Sequence, residues 1–425
     1  MGIVTEHGTL QRPADAMSPE RELILCCARA RIDPEMKGRI RVLIGNGLNW
    51  SEVVLHANQH RVMPILHEGI ASAAQELISP AVQRILRDSA HASSANGMKL
   101  LVELLRIHQL FEAAQIPVIP YKGPVLAHLA YGSFVRREFL DLDFAVPQRY
   151  IPKATALLQS AEYSAMFDLR EAHAGQHGFA PGQYSFLSSA DSFLVELHTE
   201  RTLRYFPVPP DFENLTLRLM EVEIAGRRVR TFSIEDTLVI LSIHGAKHFW
   251  ERLAWILDIA QLLAVRELDW RLLAQIAVRM KSARVLLLGL FLAHDLCGAS
   301  LPPSVLRNAM EDKQVQWLAG RVREQYAGIS DPGAGVRART VFRVRSSDSI
   351  GQGLRHMLRL TMSPTESDRE IVRLPDFLTP FYILVRPWRL LREYGLGVKT
   401  PIKAGPRHSS SKPTENRGSK AALPK

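Results

Sequence analysis

Two carboxylates stand two residues apart in the run Leu140-Asp141-Leu142-Asp143-Phe144-Ala145-Val146. In an extended strand, residues i and i+2 point to the same side, so Asp141 and Asp143 project together. Two like charges that close repel each other, and a strand has no internal need for them. A divalent cation resolves the conflict by taking oxygen ligands from both. Mg²⁺ suits such a pair, since it binds one or two carboxylates plus substrate phosphates. Taken alone, an Asp-x-Asp is more often a turn or a solvated strand face than a metal site. Its surroundings change the weight.

Upstream lies Tyr121-Lys122-Gly123-Pro124, followed by a helical pattern to about Gly132 and then Arg136-Arg137. Glycine lets a backbone approach a phosphate closely. A helix starting near Pro124 presents free amides and the positive end of its dipole. Lys122 and Arg137 add positive charge opposite a triphosphate. Tyr131-Gly132-Ser133 offers a second Gly-Ser nearer the aspartates, but a helix fits only between Lys122-Gly123 and the Asp-x-Asp strand. Downstream, Phe193-Leu194-Val195-Glu196-Leu197-His198 alternates as a strand with Glu196 and His198 on one side. A third carboxylate from a neighbouring strand is what two-metal phosphoryl or nucleotidyl transfer needs.

Lys-Gly, a short helix, Arg, three residues, Asp-x-Asp and then Glu-Leu-His together resemble the uncharacterised nucleotidyltransferase family of the DNA polymerase β-like superfamily. The likeness continues in ILSIHGAKHFWERLAWILDIAQLL and in LPDFLTPFYILVRPWRL, and loosely spans residues 20–395. The superfamily pattern carries a second small residue after its glycine, where this chain has Pro124. The resemblance implies an α+β fold: a mixed β-sheet core with helices, flanked by an N-terminal helical leader and a C-terminal helical region. It also implies an enzyme that uses Mg²⁺ or Mn²⁺ to move an NMP group from an NTP to an acceptor, releasing pyrophosphate. On that reading Asp141, Asp143 and Glu196 are the catalytic and metal-binding residues, and Glu196 helps to activate the acceptor. Lys122, Gly123 and Arg137 bind the nucleotide phosphates. A non-catalytic nucleotide-binding or nucleic-acid-binding protein on the same fold is the alternative.

Further residues could contact the base or the acceptor: His198, His244, Lys247, His248 and Trp250. His244 and His248 stand four apart on one helical face, a spacing that can bind metal. Position 245 is Gly, so the glutamate of a HExxH protease is absent. Two polar residues lining a cleft or packing between helices is the simpler reading. Trp250 and Trp255 could stack on a base, although such residues more often anchor a core. Asp258, inside an apolar helical pattern, must pair with a basic residue or reach the cleft, because an unpartnered buried carboxylate is costly.

The elements that must position these groups divide into five stretches. Residues 1–17 read as a disordered N-terminus, 18–115 as a helical leader, 116–232 as the nucleotidyltransferase core, 233–398 as a helical domain and 399–425 as a basic disordered tail. Ser18-Pro-Glu reads as an N-cap, a first-turn proline and an acidic first turn. Leu100, Leu101, Leu104, Leu105 and Leu110 keep nearly helical spacing. IPVIPYKG, LDLDFAVP, SFLSS, SFLVELHTE and RRVRTFS read as strands. Arg386-Pro-Trp-Arg-Leu-Leu-Arg-Glu-Tyr is a basic amphipathic helix that packs on the helical region or touches an anionic surface.

The 425 residues carry 53 Lys and Arg against 43 Asp and Glu, and the charged fraction of 23% excludes wholesale disorder. The excess of +10 favours polyanionic partners, so nucleic acid remains open beside the NTP and the unknown acceptor. Its tail from Pro401 supplies six Lys or Arg against one Glu, which reads as a solvated end. The 3 Cys form no CxxC pair, and a reducing, cytoplasmic setting is expected. No secretory leader and no transmembrane segment is expected, since the longest apolar run falls short of about 20 residues.

Overall fold

A computed structural model describes residues 17–167, 182–189, 193–200, 212–329, 335–362 and 381–390, with a few isolated positions between them. The N-terminal stretch to residue 16 and the basic tail lie outside the described residues. Met1–Leu360 form one compact unit and Thr361–Lys425 a second. In the second unit a helix covers Tyr382–Leu390 with Pro387 inside it. All elements below belong to the first unit, except the last two residues of the final helix.

Five helices open the chain: α1 (Pro19–Cys27), α2 (Pro34–Gly45), α3 (Trp50–His60), α4 (Met63–Ala74) and α5 (Pro80–Ala113). Their starts follow from local chemistry. Ser18, Asp33, Asn49 and Ser79 each accept a backbone N–H of the first turn, and proline occupies the first helical position of α1, α2 and α5. Proline has no N–H to leave unpaired there, and its fixed φ suits the helix.

The sheet follows. It consists of β1 (Ile119–Pro120), β2 (Asp141–Ala145), β3 (Tyr163–Ala165), β4 (Gln183–Ser188) and β5 (Leu194–His198), in the order β1-β2-β5-β4-β3. Only the β2–β5 pair is parallel; the other neighbours run antiparallel. The IPVIPYKG run yields a two-residue edge strand because Pro117 and Pro120 supply no ladder N–H. Helix α6 (Gly123–Tyr131) joins β1 to β2, while α7 (Ile151–Ser160), β3 and β4 fill the crossover from β2 to β5. β6 (Met220–Ile224) and β7 (Arg227–Thr231) then pair around Ala225-Gly226, both at positive φ (48° and 77°), the conformation of a tight hairpin turn. Sequence reading found β7 but neither β6, although Met220-Glu221-Val222-Glu223-Ile224 alternates strictly, nor the three-residue β3.

The two sheet faces differ in kind. Leu142 and Phe144 of β2, Tyr184 and Phe186 of β4, and Val195 and Leu197 of β5 are all fully buried. Phe144 meets Phe111 of α5 at 5.9 Å between ring centroids, so the long leader helix backs this apolar face. The residues between them, Asp141, Asp143, Ser185, Glu196 and His198, form the opposite face.

Eight more helices continue the unit: α8 (Ile234–Lys247), α9 (Leu253–Val265), α10 (Trp270–Arg279), α11 (Ala283–Cys297), α12 (Pro303–Glu311), α13 (Lys313–Ala327), α14 (Gly335–Ser346) and α15 (Ile350–Met362). One apolar cluster runs without a break from Leu23 of the leader through Phe144 of the sheet to Phe342 of α14. None of the helices searched is long and apolar enough to cross a membrane.

Trp250 sits at the centre of this packing, fully buried. Its ring lies against Gly245 of α8 and Gly289 of α11, and a Cβ on Gly245 would fall 2.3 Å from it. Its carbonyl accepts hydrogen bonds from Tyr326 Oη (2.5 Å) and Gln325 Nε2 (3.2 Å) of α13. The glycine in His244-Gly245-Ala246-Lys247-His248 is thus a packing requirement of the tryptophan five residues later. Gly245→Ala is expected to cost about 1–3 kcal/mol, as overpacking a filled core does. Urea unfolding of the variant checks this, with Gly320→Ala, a site where a Cβ meets nothing within 4 Å, as the control.

Candidate active site

The parallel pairing of β2 and β5 sets Asp143 directly beside Glu196 and Ala145 beside His198. Side chains of paired residues leave the sheet on the same face. Asp143, Glu196 and His198 consequently converge, with one ligand atom from each lying within 4.8 Å of the others. The sequence had put His198 only among the base or acceptor contacts; the fold places it in the same cluster as the carboxylates. Asp141, one pleat earlier on β2, lies outside that three-residue group. Ser185 of β4 extends the row and donates to Glu196 Oε1 (3.4 Å).

Lys122, the N-cap of α6, reaches across from the end of β1. Its Nζ stands 3.1 Å from Asp143 Oδ1, and His198 Nε2 stands 2.8 Å from the same oxygen. His198 Nε2 is also 3.4 Å from Glu196 Oε2. Asp143 is 3% exposed, so both contacts are made in a dry environment. Burial alone would raise its carboxyl, but the Lys122 charge and the His198 hydrogen bond outweigh burial and hold it below the ordinary carboxylate range. Asp143, in turn, holds the Lys122 ammonium above its usual value against the opposing effect of burial. Asp141 has the opposite fate. Burial, and then the charge of Asp143, push it up to about 6. The two aspartates of the strand are therefore inequivalent: one is firmly ionised, the other poised to take a proton near neutrality.

Gly123 opens α6 at φ +53°, where a side chain is strained, and a Cβ there would stand 3.2 Å from the Asp141 carbonyl oxygen. Lys122 makes no side-chain cap; Pro124 has no N–H and the Val125 N–H donates to the Lys122 carbonyl (3.1 Å), so the Gly123 N–H is the backbone donor that the start of α6 offers beside the cluster. Gly132 instead terminates α6 as a left-handed C-cap (φ 60°).

Arg137 lies in the loop between α6 and β2. Its Nε and Nη2 bind the two oxygens of Asp258 on α9 at 2.8 and 2.9 Å, and Tyr131 Oη donates to Asp258 Oδ1 at 2.9 Å. Arg137 Nη1 is buried without a hydrogen-bond acceptor among the described residues. Leaving a buried donor unsatisfied costs about 1–3 kcal/mol, more for a charged group. Arg136 is turned outward to Glu68 (2.8 Å).

His244 and His248 face one another at 4.8 Å between ring centroids, and both approach Trp255, at 5.0 and 5.3 Å. Arg252 lies over the same indole at 5.4 Å. The half-buried aromatic surface beside the cluster thus belongs to Trp255, whereas Trp250 is enclosed and reaches no ligand. Burial, then the charge of Lys122, drives His244 well below its ordinary value, and burial with Lys247 brings His248 down to about 3. Lys247 is likewise lowered, by burial and then by Lys122. Arg61 was not foreseen. It caps α3 at φ 57°, stands 4.0 Å from Glu138 and shares the field of Asp141 and Arg252. Nothing in the sequence ties a leader residue to a carboxylate 80 positions later.

A mixed sheet with paired acidic positions on one face, backed and flanked by helices, defines a nucleotidyltransferase-type protein. The family described as uncharacterised nucleotidyltransferase matches residues 46–298, more than half of the chain, and the chain belongs to that family. The matched span begins at the turn before α3 and closes at the end of α11. Among solved structures, an antigenic nucleotidyltransferase-like protein from Paracoccidioides brasiliensis aligns over 43% of this chain and 85% of its own, at 16% identity and a TM-score of 0.27. No curated protein matches the sequence.

The depressed histidines give a stability signature. Unfolded histidine binds a proton near 6.5, whereas His248 is held down to about 3 and His60, lowered first by burial, to about 4. Between those values the unfolded chain carries more protons, so stability falls as pH drops from 6.5 towards 4. Urea midpoints across this window should decline, and His60→Gln combined with His248→Gln should flatten the slope.

Proposed function

We propose that the protein is a divalent-metal-dependent nucleotidyltransferase that moves an NMP group from an NTP to an acceptor and releases pyrophosphate. The observation that carries this reading is the convergence of Asp143, Glu196 and His198 on one sheet face, with Asp141 next on the strand and the Gly123 turn at the start of α6 beside it. The donor set fits a cation: two carboxylates and an imidazole with ligand atoms close enough to share one ion. Asp143, Glu196 and His198 would hold it, which leaves Asp141 outside the ligand set. A bound Mg²⁺ or Mn²⁺ supplies charge stabilisation at the transferring phosphoryl group and lowers the pKa of a bound hydroxyl.

The chain's own groups do the rest. Lys122 and the Gly123 N–H receive phosphate oxygens, and Gly123 keeps that approach clear of a side chain. Arg137 Nη1 adds a buried donor. Trp255, with His244 and His248, offers an aromatic surface for the base or the acceptor. An acceptor oxygen attacks the α-phosphorus, the bond from that phosphorus to the pyrophosphate oxygen breaks, and pyrophosphate leaves with the electron pair. Asp141, the more basic aspartate, is suited to take the acceptor's proton; Glu196, held by Ser185 and His198, is the better ligand. A cytoplasmic setting, where NTP and Mg²⁺ are abundant, agrees with this chemistry.

A second reading draws on Lys122, whose ammonium occupies the carboxylate oxygen a cation would use. On that reading the protein binds nucleotide and does not turn it over. Incubation with each α-labelled NTP, Mg²⁺ or Mn²⁺ and a cell extract separates the two: label transferred to a product supports catalysis, and intact NTP at stoichiometric binding supports the second.

The paired aspartates respond differently to neutralisation. Repulsion between two neighbouring carboxylates, taken alone, would let Asn at both positions keep or raise stability. Asp143, however, has two cationic partners. Asp143→Asn should lower metal-free stability by about 3–5 kcal/mol, the cost of leaving a buried charge unpaired. Asp141→Asn should leave stability unchanged or slightly raised. Both should reduce transfer by about 100-fold or more, the usual effect of losing a metal ligand or a base. Thermal melts without metal beside turnover assays check both arms; equal stability losses in the two variants would contradict the assignment.

A further inference from the structure

Arg137, Asp258 and Tyr131 form a unit that sequence spacing does not suggest, since Asp258 lies far along the chain on α9. The guanidinium is 9% exposed and the carboxylate fully buried. Two parallel hydrogen bonds, at 2.8 and 2.9 Å, fix the plane of the fork, and the Tyr131 hydroxyl at 2.9 Å fixes the carboxylate. Arginine carries five N–H groups in a rigid geometry, and this pairing uses those on Nε and Nη2. Both hydrogens of Nη1 are left without an acceptor in a buried position. A salt bridge that served stability alone has no use for such an orphan, because the unsatisfied donor works against it.

The position of that donor supplies the rest. Arg137 stands four residues before Asp141, on the loop that feeds β2, and its Cζ lies 6.0 Å from the ring centre of Phe139. Phe139 in turn lies beside Gly123, whose virtual Cβ would meet both Phe139 and the Asp141 carbonyl. The start of α6, Phe139 and Arg137 are therefore neighbours of Asp141, whose charge and that of Arg137 act on one another. A ligand there must bring an acceptor oxygen, and the planar fork suits a phosphate best.

We propose that Asp258, steadied by Tyr131, is a positioning residue that holds Arg137 so that Nη1 donates to a phosphate oxygen of the bound NTP. This rests on the nucleotidyl-transfer reading above. Asp258 itself touches no substrate. It sets the angle of the fork, and the apolar helix α9 sets the place of Asp258. The contact falls on the polyphosphate, so it serves any of the four bases.

The test uses the full chain with Mg²⁺ and whichever of the four α,β-methylene NTPs binds tightest by calorimetry. Asp258→Asn and Arg137→Lys should weaken that binding by about tenfold or more, the scale of one charge-assisted hydrogen bond. Tyr131→Phe, which removes only a hydroxyl and keeps the fold if Asp258→Asn does not, should weaken it by a smaller factor. Mn²⁺ binding without nucleotide, read by electron paramagnetic resonance, should stay as in the wild type in every folded variant. A role in packing alone lowers melting temperature without this split between nucleotide and metal. Wild-type affinity in Tyr131→Phe and in folded Asp258→Asn, with Arg137→Lys weakened, overturns the positioning role. Wild-type affinity in Arg137→Lys overturns the phosphate contact. A wild-type chain that binds none of the four analogues overturns the nucleotide reading itself.

Discussion

A buried carboxylate must have countercharge, and Asp143 obtains it from two sides. Lys122 comes from the end of β1 and His198 from the end of β5, the two strands that flank β2. Moving either strand away from β2 would leave Asp143 ionised in a dry site short of countercharge, at a cost of several kcal/mol. The antiparallel edge and the parallel centre of the sheet are in this sense electrostatic requirements as well as packing ones. The same arrangement creates the inequality between the aspartates: Asp143 absorbs the cations, and Asp141 meets the resulting negative charge with burial of its own.

The legible part of this was the alternation. Leu142, Phe144, Val195 and Leu197 turn one way and Asp141, Asp143, Glu196 and His198 the other, a pattern that period-2 strands write directly into the sequence. The start of α1 was equally readable, because Ser18 announces it by side-chain capping. What could not be read was which oxygen meets which nitrogen. The sequence offered Arg137 as a free cation, and the fold gives two of its nitrogens to Asp258, 121 residues away. It paired Trp250 with Trp255 as equals, while packing against Gly245 and Gly289 encloses the first and leaves the second half exposed. Arg61 carried no signal at all. Each of these depends on tertiary approach, on which local spacing is silent.

Cations surround the carboxylate face more closely than the overall charge suggests. Lys122, Arg137, Lys247, Arg252 and Arg61 come from the leader, the sheet loops and the helices that follow. Lys247, His244 and Arg61 are depressed, first by burial and then by the neighbouring charge of Lys122 or, for Arg61, of Arg252. Such mutual repulsion is tolerated where a polyanion relieves it. A triphosphate has the charge density to do so, whereas a neutral ligand has not.

The apolar cluster that runs from Leu23 to Phe342 bears on how such a protein can change over time. A sheet with its own core can be recombined, fused or borrowed as a cassette. This one shares its core: the face behind its carboxylates is closed by Phe111 of the leader, and Arg137 beside it is held from α9. Substitutions far from the sheet are therefore felt at the carboxylate face, and change in this chain is least costly at loops and surface positions around a scaffold inherited whole.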